Sequence, residues 1–92
     1  MAEITVRITN KVGLHARPAS QFVQAAKKYK SNIRVMNITT GGAPVDAKSI
    51  LGVLTLGVLQ YHSIHIEAAG EDANEAIAGL ENLVATNFGE AG

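Results

Sequence analysis

Ninety-two residues, 47% of them hydrophobic, suffice for one globular domain spanning residues 1–92 and are too apolar for a disordered chain. Eight Lys and Arg balance eight Asp and Glu, and aromatics make up 4%, so the basic field and stacking rings of a nucleic-acid binder are missing. With no cysteine, disulfides, thiolate metal sites, iron–sulfur clusters and a cysteine nucleophile are excluded.

Glu3 to Thr9 alternates, with Ile4, Val6 and Ile8 on one face, and predicts a half-buried strand. Asn10-Lys11-Val12-Gly13 reads as a loop. From Arg17 the period changes: Ala19, Phe22, Val23, Ala26 and Tyr29 form one helical stripe, Pro18 suits the first turn, and Lys27, Lys28 and Lys30 complement the C-terminal dipole. Ile33 to Ile38 is a second strand whose faces are ambiguous at Val35-Met36. Gly41-Gly42 marks a hairpin loop before a short strand, Val45 to Ala47. Ser49 then N-caps a compact helix bearing Ile50, Leu51, Val53, Leu54 and Leu56. Ile64, Ile66 and Ala68 alternate with His65 and Glu67 in a fourth strand. Asp72 with Glu75 resembles a capping box, opening a last helix with Ala73, Ala76, Ile77, Leu80, Val84 and Phe88 on one face. Gly79 should weaken that helix by about 1 kcal/mol relative to alanine.

The order β-α-β-β-α-β-α describes an α+β open-faced sandwich, an antiparallel sheet with three helices on one side and water on the other. The longest apolar run, Ile50 to Leu59, is interrupted by Gly52, Thr55 and Gly57 and is too short to span a bilayer. The chain opens Met1-Ala2-Glu3 and alternates at once, so no signal peptide is expected and a cytoplasmic protein is.

Chemistry concentrates in Gly13-Leu14-His15-Ala16-Arg17-Pro18-Ala19. The first N–H groups of a helix lack intrahelical partners, and with the dipole they attract anions. Arg17 adds a guanidinium that can clasp phosphate oxygens. An imidazole beside that cradle, keeping a ring lone pair for attack, suits a reversible phosphohistidine. Spacing alone leaves a second reading of His15 open, a cap or surface histidine. His62 and His65 fall on opposite faces and the carboxylates are scattered, so both read as surface residues and no metal site is expected. No Walker-type loop and no Ser-His-Asp arrangement is present. The helix after Ser49 is apolar nearly all round. Its residues are either all core or partly a partner surface.

These residues, with Ala47-Lys48-Ser49-Ile50-Leu51-Gly52-Val53-Leu54-Thr55-Leu56-Gly57 about thirty residues on and Ala69-Gly70-Glu71-Asp72 before the closing helix, resemble the HPr family. That family comprises the histidine-containing phosphocarriers of the bacterial phosphoenolpyruvate:sugar phosphotransferase system. The resemblance covers essentially the whole chain. It implies a four-stranded antiparallel sheet of order 1-4-2-3 with three helices, and a monomer needing no cofactor. It implies that His15 takes a phosphoryl group on Nδ1 from phospho-enzyme I and passes it to enzyme IIA, with Arg17 supporting the phosphate. Such a protein is a carrier and not an enzyme. Ser49 matches a serine modified by an HPr kinase/phosphorylase in Gram-positive relatives, where the phosphoserine form is a corepressor with a catabolite-control regulator. The implied partner surface comprises Ala16, Ser20, Lys48, Ile50, Leu51 and Leu54. The chain departs from the family pattern in three places. Asn37 to Pro44 is a few residues longer, which should alter only a loop remote from His15. Tyr61 stands where relatives commonly have the glycine of a positive-φ turn, so the turn there should differ. Leu51 and Leu54 replace methionines. The competing functions are a regulatory module that never carries phosphate and a generic small-ligand-binding domain.

Overall fold

The computed structural model describes residues 1–89. In chain order the elements are β1 (Ala2–Arg7), α1 (Ala16–Lys27), β2 (Asn32–Asn37), β3 (Val45–Asp46), α2 (Ile50–Thr55), β4 (Ser63–Ala69), α3 (Ala73–Ala85) and a short 3-10 turn, Asn87–Gly89. The strands form one antiparallel sheet in the order β1-β4-β2-β3. This is the topology that the resemblance implied.

Period-two alternation sets the register. Ile4 lies opposite Ile66 and Val6 opposite Ile64 across β1 and β4, while Val35 and Asn37 face the same two isoleucines from β2. A one-residue slip would turn every one of these side chains into water. The ambiguous faces of β2 are resolved: Ile33, Val35 and Asn37 point inward and Met36 is only half-buried. Against this face α1 packs Ala19, Phe22, Val23 and Ala26, and α3 packs Ala73, Ala76, Ile77, Leu80 and Val84. The small residues let the helices lie close to one another, and Phe22 fills the centre with no exposed area. Among the described residues no helix is long and apolar enough to cross a membrane.

Three local expectations are corrected, at Phe88, Tyr61 and Asp72. Phe88 is buried, but it lies beyond α3. The helix ends at Ala85, and positive φ at Asn87 and Phe88 turns the chain back so that the ring re-enters the core. Gly79 has a packing reason: a Cβ there would stand 2.1 Å from the Tyr29 hydroxyl. Tyr61 keeps a positive φ of 73° despite its side chain, held by a 2.6 Å bond from its N–H to the Ile8 carbonyl and by the Arg7 guanidinium 5.0 Å over its ring. The turn survives the loss of glycine because its neighbours over-determine it.

Asp72 is the N-cap of α3 by position, yet its side chain does not cap. The carboxylate accepts bonds from Ser31 Oγ at 2.5 Å, Lys30 N–H at 2.8 Å and Ser31 N–H at 2.9 Å, locking the α1–β2 turn to the head of α3. The Ser31 hydroxyl first, and then the Lys30 N–H, hold its carboxyl down from 3.8 to about 2. A depressed folded pKa contributes stability above the unfolded value that is lost as pH falls through the folded one. Asp72→Ala should therefore melt below the wild type at pH 7. The gap should shrink between about pH 4 and pH 2 and close below that. Thermal melts across that range check it. A gap that does not change with pH would show that the carboxylate's charge is not what stabilises the turn.

Candidate functional site

Leu14 and His15 link the loop after β1 to α1. The loop is braced before it reaches the histidine. Asn10 holds Gly13 at both ends, its carbonyl accepting from Gly13 N–H at 3.2 Å and its Nδ2 donating to Gly13 O at 2.9 Å. Leu14, buried, donates its N–H to Val58 O at 3.0 Å. His15 follows as the N-cap, in extended backbone with φ −115° and ψ 157°, and its side chain makes no capping bond. The ring is exposed.

The first turn of α1 has little left to spend internally. Ala19 N–H reaches the His15 carbonyl at 3.4 Å, and Pro18 has no N–H. The N–H groups of Ala16 and Arg17 have no acceptor among the described residues. They stand at the positive end of a 12-residue helix dipole. Arg17 is exposed and pairs with no carboxylate among the described residues. Ala16, between the two functional side chains, has φ +32°. A non-glycine residue there carries strain of roughly 1–3 kcal/mol. Nothing in the sequence marks that strain. The arrangement is an uncovered imidazole beside free N–H donors and a free guanidinium, a place where an anion can be held against a nucleophile.

An open depression of about 420 Å³ adjoins the ring, between Lys11 and Val12 on one side and Leu54, Val58 and Leu59 on the other. It brings α2 to His15. Ile50, Leu51 and Leu54 are 40%, 74% and 38% exposed, whereas Val53 and Leu56 are buried. Of the two readings of this helix, the one with an exposed apolar face holds. Ser49 caps it as expected, its Oγ accepting from Gly52 N–H at 3.1 Å. Ser20 is exposed one turn along α1 from Ala16. Lys48 is drawn elsewhere: its Nζ donates to Tyr29 O at 2.7 Å and so satisfies a carbonyl just past the end of α1.

The other histidines are more engaged than surface residues. The sheet gathers carboxylates that the sequence scatters, so His65 Nε2 lies 2.9 Å from Glu3 and 3.7 Å from Glu67, with Nδ1 2.8 Å from Thr5 Oγ1. Cross-strand pairing of Glu3 with Glu67 and of Thr5 with His65 explains the group, which lies on the face away from the helices. His62 turns inward to the buried amide of Asn37.

The family model for the "PTS HPr component phosphorylation site" matches residues 2–86. The chain is 39% identical over 90 residues to the phosphocarrier protein HPr of Xylella fastidiosa, covering 98% of each. It is 44% identical over 86 residues to the multiphosphoryl transfer protein of Vibrio cholerae, 94% of this chain but only 22% of that longer protein's length. The crystal structure of HPr-C-His from Thermoanaerobacter tengcongensis superposes with a TM-score of 0.93 at 46% identity, covering 99% of both chains. A match this extensive, in sequence and in fold alike, means that the chain belongs to the HPr family of phosphotransferase-system phosphocarriers.

Proposed function

We propose that His15 is the phosphoryl acceptor of this chain, charged by phospho-enzyme I and discharged to an enzyme IIA domain in the cytoplasm. The observation that carries the reading is the exposed, uncapped imidazole beside the two uncommitted N–H groups and Arg17. The Nδ1 lone pair attacks phosphorus, the donor's bond to phosphorus breaks, and that electron pair leaves with the donor. The N–H groups of Ala16 and Arg17 and the guanidinium hold the phosphoryl oxygens while this happens. The reverse step hands the group on. The protein is consumed and regenerated as a substrate, without a turnover of its own.

Incubation with phosphoenolpyruvate and enzyme I tests the reading: acid-labile phosphate mapping to His15 supports it. A chain that stays unphosphorylated there is a regulatory module. Arg17→Ala should slow charging about tenfold or more while the melting curve is kept, because an exposed arginine contributes little to packing. Lys28→Ala, an exposed cation at the far end of α1, is the control. Equal initial rates for the two variants would show Arg17 to be a solvated charge.

Ser49 is proposed as a regulatory phosphorylation site for an HPr kinase/phosphorylase, with a catabolite-control regulator as the partner of the modified form. The support is its place at the head of the exposed apolar face of Ile50, Leu51 and Leu54. A negative charge there desolvates poorly against an apolar partner. Aspartate caps helices as well as serine does, so Ser49→Asp should keep the melting temperature and lower the rate at which phospho-enzyme I charges His15. Lys48 is already bound to Tyr29 O and offsets little of the added charge. A variant that melts early and is charged at the parent's rate would make Ser49 a cap alone.

A further inference from the structure

One buried polar cluster is not used by the chemistry above. Asn37, at the end of β2, has no exposed area. Its Oδ1 accepts from Thr39 N–H at 3.0 Å and Thr40 N–H at 3.3 Å. Those two donors fix the orientation of the amide, so Nδ2 faces the other way. There it donates to Leu56 O at 3.2 Å and to His62 Nδ1 at 3.1 Å. The same Nδ1 accepts a second bond, from Leu59 N–H at 3.1 Å. Both partners of Nδ1 are donors, so this nitrogen carries no proton and the ring proton sits on Nε2. The His62 backbone is pinned as well, its N–H donating to Leu59 O at 3.1 Å and its carbonyl accepting from Ile8 N–H at 2.8 Å.

What His62 holds is the wall of the His15 depression. Leu59 and Val58 line that depression, and Val58 O accepts the N–H of Leu14, the residue before His15. A continuous set of hydrogen bonds therefore runs from Thr39 and Thr40 through Asn37 and His62 to Leu59, and along the backbone to Leu14. The first turn of the 37–44 loop is thus anchored on Asn37, which is hydrogen-bonded to the histidine that anchors this wall.

We propose that His62 is a positioning residue, which acts with Asn37 to hold the 57–59 segment in the shape on which a phosphoryl-donor protein docks beside His15. The proposal rests on the carrier reading of His15. A buried donor that loses an acceptor is costly, and the buried Asn37 amide would keep only Leu56 O, while the Leu59 N–H, in an exposed stretch, would turn to water. Without His62 Nδ1 the segment relaxes to find water. The docking surface loses its form at Leu59, while Val58 O still holds Leu14 and Asn10 still braces Gly13, so His15 and the head of α1 keep theirs.

The test compares two variants with the parent. His62→Leu fills the space and removes the acceptor. His62→Asn places a carbonyl oxygen where Nδ1 stands. His62→Leu should raise the KM for phospho-enzyme I about tenfold and leave kcat within about twofold, and His62→Asn should restore most of the loss. A parent-like KM in His62→Leu, an equal loss in both variants, or a loss confined to kcat would each overturn the proposal. Amide hydrogen exchange on the unphosphorylated parent keeps the question answerable if His62→Leu fails to fold. The Leu59 amide should be protected well beyond the adjacent Gln60 amide, whose N–H has no acceptor among the described residues, and its protection should fall in His62→Asn less than in His62→Leu. A Leu59 amide that exchanges as fast as an unfolded chain in the parent sinks the proposal. That measurement needs no phosphoryl transfer, so it fails or succeeds independently of the carrier reading.

Discussion

His15→Ala is expected to accept no phosphate while melting within about 0.5 kcal/mol of the parent. The two halves of the result have separate causes. The side chain is exposed and makes no hydrogen bond among the described residues, so its removal leaves no cavity and no orphaned partner. The carbonyl that closes the first turn on Ala19 belongs to the backbone and remains. Nothing else in the chain replaces the lost nucleophile. His62 Nδ1 is occupied by two donors, and His65 faces Glu3 and Glu67, whose charges repel an incoming phosphoryl donor. The measurement is acid-labile label after incubation with phosphoenolpyruvate and enzyme I, with circular dichroism and a melt alongside. Label retained in the variant, or mapped to His62 or His65 in the parent, would overturn the assignment of His15.

Residues whose behaviour is decided within their own segment were legible in the sequence. The alternation of Ile4, Val6, Ile64 and Ile66, the stripe of α1 and the Ser49 cap each follow from one element's period or one turn's donors. The head of α1 was legible for the same reason, because the free N–H groups of a helix belong to its first turn wherever that helix lies. Other residues are decided by what arrives from a distance. Asp72 has the spacing of a cap, but the Lys30–Ser31 turn offers it three donors and wins the carboxylate. His62 looks exposed by period, and its fate depends on an amide 25 positions earlier. The alternation of β2 slipped at Met36 because Asn37, a polar residue, occupies an inward position that only its long-range partners make tolerable. Tyr61 kept a glycine's conformation because Ile8 and Arg7 hold it there. In each case the missing information was the identity of a partner far along the chain.

Gly13→Ala should have the largest effect on stability among single-atom additions near the site, and it connects the fold to the chemistry. Gly13 has φ +63°, and a Cβ added to it would stand 2.2 Å from Val58 O and 2.8 Å from the Leu59 Cα. Both contacts are with backbone, so no rotamer change relieves them. Either the β1–α1 loop or the 57–59 segment must move. Movement of Val58 stretches its bond to Leu14 N–H, and movement of Gly13 breaks the double hold of Asn10, whose side-chain oxygen is already buried without a partner among the described residues. Strain at positive φ adds roughly 1 kcal/mol and the overlap roughly 1–3 kcal/mol more. The melting temperature should fall by about 10 °C or more in a chain of this size. Charging of His15 should slow even in the folded fraction, because both routes of relief displace the residue before the histidine. Gly57→Ala is the matched control. Its φ is +59°, but nothing lies within 4 Å of the added Cβ, so it carries the conformational cost without the overlap. The expected order of melting is parent, Gly57→Ala, then Gly13→Ala well below. If the two variants melt together, the close approach of Gly13 to Val58 is not what shapes the loop, and the brace on His15 has to lie elsewhere.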